Sequence, residues 1–108
     1  MLQLTINGTS VREFAEAMGA FAEFKTYGNL RGEYGVMGAG RLPEPFRTEY
    51  YERNPHITYT VYSYGTPIAW YDAERGWVMP DVKYSVTTSK AQGRIAGAIA
   101  YLRDTQGV

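Results

Sequence analysis

The sequence predicts an α+β domain in which two amphipathic helices, one near each end, cover one face of a three- to four-stranded antiparallel sheet. Two observations carry this. Residues 57–71 contain no charged side chain and are rich in β-branched and aromatic residues, the composition of strands. On either side of them, apolar residues recur at helical spacing: Val11, Phe14, Ala15, Met18, Phe21 and Ala22 before, and Ala91, Ile95, Ala98, Ile99 and Leu102 after.

Each element has a local reason. Leu2, Leu4 and Ile6 alternate with Gln3 and Thr5, the period of a half-buried strand, and Asn7-Gly8 then permits a turn. Ser10 and Glu13 have the spacing of a capping box, so a helix starts after Ser10. Tyr27 to Pro45 holds Gly28, Gly32, Gly35, Gly38, Gly40, Pro43 and Pro45, a density that predicts mostly loop. Phe46 to Arg53 suits two helical turns, which Asn54-Pro55 ends. In the sheet, Ile57, Tyr59 and Val61 share one face, and Thr58, Thr60, Tyr62 and Tyr64 the other. Gly65-Thr66-Pro67 interrupts the ladder, Ile68 to Tyr71 resumes it, and Asp72 to Gly76 forms a hairpin loop returning through Trp77, Val78 and Met79. Val82 to Val86 is expected as a last short strand, and Thr87, Thr88 and Ser89 as caps of the final helix, which runs to about Arg103.

The 108 residues, 44% of them hydrophobic, suit one compact domain over 1–108, with no internal repeat or linker. Eleven basic and eleven acidic side chains cancel, excluding a globally basic nucleic-acid coat, an acidic mimic of DNA and a charge-driven disordered tail. The absence of cysteine excludes disulfides, thiolate catalysis and CxxC zinc sites. There is no apolar run of about 18 residues and no signal-peptide pattern, so a cytoplasmic protein without membrane contact is expected.

Catalytic patterns are weak, and no catalytic residue, metal site or cofactor is assigned. Gly35 to Gly40 has neither the GxxxxGK[ST] nor the GxGxxG order of phosphate loops. His56, the single histidine, lies outside any metal-ligand or triad spacing; a small hydrolase would need it to meet one of the scattered carboxylates in space. The charge distribution is more informative. Residues 1–81 hold seven basic and ten acidic groups, whereas residues 82–103 hold Lys83, Lys90, Arg94 and Arg103 and no acid. At the start of the last helix, Thr87, Thr88, Ser89, Lys90, Gln92 and Arg94 place hydroxyls, an amide and two cations where unpaired backbone N–H groups and the helix dipole favour an anion. The plainer alternative is a capped helix with a solvated basic face. On that helix Gly93 and Gly97, flanked by Tyr101, lie opposite the apolar stripe and would permit close approach of another helix. Tyr62 and Tyr64 offer aromatic surface for base stacking or a protein interface.

The residues Tyr62-Ser63-Tyr64-Gly65-Thr66-Pro67-Ile68-Ala69-Trp70, then Trp77, then Tyr84 to Gln92 resemble a domain of unknown function found in small bacteriophage proteins, including those of phages of actinobacteria. The resemblance covers about residues 59–95. It implies a phage or prophage origin and action inside a bacterial host cell, and brings no reaction, cofactor or partner with it. Ala91 stands where that pattern often has histidine, which argues against an essential imidazole there. The expectation is therefore a non-enzymatic accessory binding domain that contacts nucleic-acid phosphate or another anion. The alternative is an interaction module that binds a host protein or a second copy of itself.

Overall fold

The computed structural model describes residues 4–6, 10–26, 28–81 and 86–106, apart from the side chains of residues 4, 86–89 and 106. The chain is α+β, as expected, but its sheet has six strands and is mixed. The strands are β1 (Leu4–Ile6), β2 (Phe24–Thr26), β3 (Leu30–Tyr34), β4 (Ile57–Ser63), β5 (Thr66–Asp72) and β6 (Gly76–Val78). They lie side by side in chain order; β1 and β2 are parallel and every other neighbouring pair is antiparallel.

The helices are α1 (Val11–Gly19), α2 (Phe46–Glu52) and α3 (Val86–Gln106). Ser10 caps α1 by accepting a hydrogen bond from the Glu13 N–H at 3.4 Å, so half of the capping box forms. α1 crosses from β1 to the parallel β2, which makes a βαβ unit of residues 4–26. α1 and α3 cover one face of the sheet over Phe24, Leu30, Tyr59, Val61, Ala69 and Trp77. On the other face, α2 and residues 36–45 bury Ala39, Leu42, Tyr50, Ile57 and Trp70. Both faces therefore carry a core, whereas the sequence predicted cover on one.

Three expectations are corrected, and a fourth falls mostly outside the described residues. The glycine-rich stretch read as loop contains all of β3, because Gly32 is a strand residue: a Cβ there would collide with the Tyr59 hydroxyl and the Phe24 ring. Glycine marks close packing at this position rather than a break. Ile57 leaves the face of Tyr59 and Val61 for the α2 side, since the β4–β5 register shifts between Ile57 and Tyr59. The β4–β5 turn is Tyr64-Gly65, both at positive φ, and Thr66 and Pro67 lie inside β5, where a second register shift accommodates the proline that lacks an N–H. Of the expected strand from Val82 to Val86, residues 82–85 lie outside the described residues and Val86 opens α3.

Candidate functional site

α3 lies beside α1 and runs in the same direction: Gly97 faces Val11, and Tyr101, Leu102 and Thr105 lie next to Ala15, Gly19 and Ala20. At its far end Arg103 Nη2 donates 2.7 Å to the carbonyl oxygen of Trp77 in β6. The amino end of α3 is thus directed to the end of the sheet where β2 and β4 finish. Because α3 begins at Val86, Thr87, Thr88 and Ser89 lie inside its first turn rather than ahead of it as caps, and their side chains are outside the described residues. Lys90 is exposed, Gln92 and Arg94 are half-buried, and neither cation has an ion-pair partner among the described residues. Asp104 is the single carboxylate in α3, about three turns beyond Arg94.

The residues singled out as interface candidates separate. Tyr62 is 1% exposed and belongs to a buried hydroxyl cluster, so it forms no open aromatic surface. Its hydroxyl accepts from the Met37 N–H at 2.8 Å and lies 3.5 Å from the Tyr50 hydroxyl. Tyr50 is in turn 2.7 Å from Thr60 Oγ1, which donates to the Gly35 carbonyl at 2.8 Å. Burial pushes the Tyr50 phenol far above its ordinary value. Tyr64, at the β4–β5 turn, is 62% exposed. Gly97 meets Val11 of α1, so its close approach is made within the chain, whereas Gly93 is exposed with open space before it. Tyr101 is 56% exposed beside the shallow α1–α3 depression.

His56 ends a turn of 3-10 helix, with Nε2 3.6 Å from Glu74 Oε1. That carboxylate already accepts Arg53 Nη2 at 2.7 Å, and the same guanidinium holds Asp72 through two hydrogen bonds of 2.8 and 2.9 Å. Asp72 also accepts the N–H groups of Glu74 and Arg75. Arg53 and these N–H donors hold the Asp72 carboxyl well below the usual carboxylate range. The Glu74 oxygen nearest His56 and both Asp72 oxygens are engaged by Arg53 or the turn, an arrangement that ties the end of α2 to the β5–β6 hairpin. Among the described residues no three His, Asp or Glu side chains gather as a metal-binding group, and no helix is long and apolar enough to cross a membrane.

The fold assembles one further feature that the sequence reading missed. A concavity of about 460 Å³ lies between the β2–β3 and β4–β5 turns, lined by Lys25, Thr26, Gly28, Asn29, Leu30, Arg31, Tyr64 and Gly65. Lys25 and Arg31 are direct cross-strand partners, and Arg31 is opposite Tyr62 on the next strand, its guanidinium 5.1 Å from the ring centre. Lys25 stands six residues from Arg31, and both fall around a stretch that reads as loop; a signal existed only in the alternation of Leu30, Gly32 and Tyr34 with Arg31 and Glu33.

These observations describe an α+β domain built on a mixed sheet with helices on both faces. The chain belongs to the family of unknown function DUF8033, whose model matches residues 8–106. No curated protein matches the chain. No solved structure matches it either.

Proposed function

We propose that this chain is a non-enzymatic binding domain that engages nucleic-acid phosphate through the basic amino-terminal part of α3. The observation that carries the reading is the segregation of charge: four cations and no acid in residues 82–103 of a chain that is neutral as a whole. Lys90 and Arg94 stand on that segment without a carboxylate partner among the described residues, so their charge is available to a ligand. By sequence, Thr87, Thr88, Ser89 and Gln92 add hydroxyl and amide groups to the same stretch of the chain, where the helix dipole is positive. A phage or prophage origin and a working place in the cytoplasm of a bacterial host belong to the same proposal, resting on the two-part pattern at residues 62–70 and 84–92.

The test is binding of the purified chain to labelled single- and double-stranded DNA and RNA at two salt concentrations. Affinity is expected to fall with salt, and Lys90→Ala combined with Arg94→Ala to weaken binding and flatten the salt slope by about 1 to 2. An unchanged slope in the double variant would dismiss the helix start as the contact.

A second reading, association with a host protein or a second copy of the chain, is favoured by Tyr101. Its exposed ring stands beside the small residues Ala15, Gly19 and Ala20. Light scattering decides it: a dimer that Tyr101→Asp dissociates supports this reading, and a monomer at every concentration opposes self-association.

A further inference from the structure

We infer that the concavity between the β2–β3 and β4–β5 turns binds a single-stranded segment of nucleic acid, with phosphate on Lys25 and Arg31 and a base on the ring of Tyr64. The inference rests on the reading above that the chain binds nucleic acid, and assigns a second site to it.

Three observations converge. First, the charged side chains among the described residues of the lining are Lys25 and Arg31; Glu33, the ion-pair partner of Arg31, is not part of it. Lys25 is exposed and has no ion-pair partner among the described residues. Arg31 is ion-paired with Glu33, Nε 2.6 Å from Oε2, but its buried Nε makes no aligned hydrogen bond among the described residues. Stacked on Tyr62, the Arg31 guanidinium is held in place as a flat cationic platform. Second, Tyr64 is 62% exposed at φ 53, a backbone state that Asn, Asp or Gly adopts with less strain and that a bulky residue rarely takes. Nothing in the packing of the fold requires a ring there, whereas a stacking partner for a base does. Third, the walls are preformed. Thr26 Oγ1 donates to the Leu30 carbonyl and accepts the Gly28 N–H, each at 3.2 Å, and the Tyr64 N–H donates 3.0 Å to the Asn29 carbonyl, which ties the two turns together. A duplex presents its bases edge-on and stacked, so the exposed ring of Tyr64 beside two cations suits an unpaired strand.

The experiment measures fluorescence anisotropy of a labelled oligothymidylate of about twelve nucleotides, and of a duplex of equal length, with the full chain and its variants. Tyr64→Phe is expected to bind the strand as the original chain does. Tyr64→Asn, which relieves the backbone and should melt no lower, is expected to lose about tenfold on the strand and little on the duplex. Lys25→Ala is expected to reduce the single-strand salt slope by about 0.7. If Tyr64→Asn and Lys25→Ala bind the strand unchanged while the Lys90 and Arg94 double variant weakens it, this inference falls and the helix-start reading stands. The reverse pattern supports the concavity and removes the helix start. Binding to duplex alone overturns the inference, and no binding to either nucleic acid at low salt overturns both.

Discussion

Gly32 shows how much a single hydrogen atom decides in this fold. It sits mid-strand in β3, with Phe24 and Val61 as its cross-strand neighbours. The Tyr59 ring crosses above it to donate a 2.6 Å hydrogen bond to the Ala22 carbonyl beyond α1. An added methyl has no free volume, because both obstructing groups are themselves buried and fixed. Gly32→Ala is expected to destabilise the chain by about 1–3 kcal/mol, the range for overpacking a close-packed core, in a urea titration followed by tryptophan fluorescence. Gly40 is a comparable case: at φ 51 it lies against the Gly65 carbonyl and Thr66, so the segment that carries Leu42 can close over the β4–β5 turn. Both glycines were visible in the sequence, but their spacing could not show that one belongs to a strand and the other to a docked loop.

Among the elements, α3 gives the clearest separation of effects. Gly93 and Gly97 both lower helix propensity, yet only Gly97 has a neighbour: a Cβ added there would fall 3.3 Å from Val11 Cγ1. Gly93→Ala should therefore stabilise by about 1 kcal/mol, the intrinsic difference between the two residues in a helix. Gly97→Ala should gain less, because Val11 has to shift a few tenths of an ångström, which its 38% exposure allows. Thermal melts of the two variants check the order. Arg103 serves a different purpose at the other end of the helix. By donating to the Trp77 carbonyl it covers an outward-facing acceptor of the edge strand β6, which would otherwise invite another strand.

For the whole molecule, the shifted groups predict opposite limbs of stability against pH. The Asp72 carboxyl is held below its unfolded value by Arg53 and by the turn N–H groups. Its contribution is complete above the unfolded pKa, near pH 4, and is lost as the pH falls toward the folded one. Glu74 and Glu44 are lowered too, by Arg53 and by Thr48 respectively, but both are exposed and add little. Desolvation raises the Tyr50 and Tyr59 phenols, so their contribution is complete below about pH 10 and declines above it as the unfolded chain ionises first. Denaturation midpoints should form a plateau between the two limbs. Asp72→Asn should shorten the acid limb and Tyr59→Phe the alkaline one, each at some cost in stability on the plateau; unchanged limbs in both variants would show that other groups set them.

Features that depend on neighbours along the chain were legible before any fold was known. Helical periodicity placed α1 and α3, the capping spacing placed the start of α1, Asn54-Pro55 marked the end of α2, and the uncharged aromatic stretch placed β4 and β5 on either side of a turn. The basic character of residues 82–103 was equally plain, since charge is counted rather than folded. The size of the sheet and the use of its faces were settled by long-range packing. β2 has three residues and β3 five, too few to show a reliable period, and they are strands because Phe24, Leu30 and Gly32 complete the core beneath the helices. Alternation placed Tyr62 on the second sheet face but could not say that α2 and residues 36–45 would bury it. Nor could it say that Lys25, Arg31 and Tyr64 would meet, because their common surface is made by strand register and by two turns joined through one hydrogen bond, contacts between residues far apart in the chain.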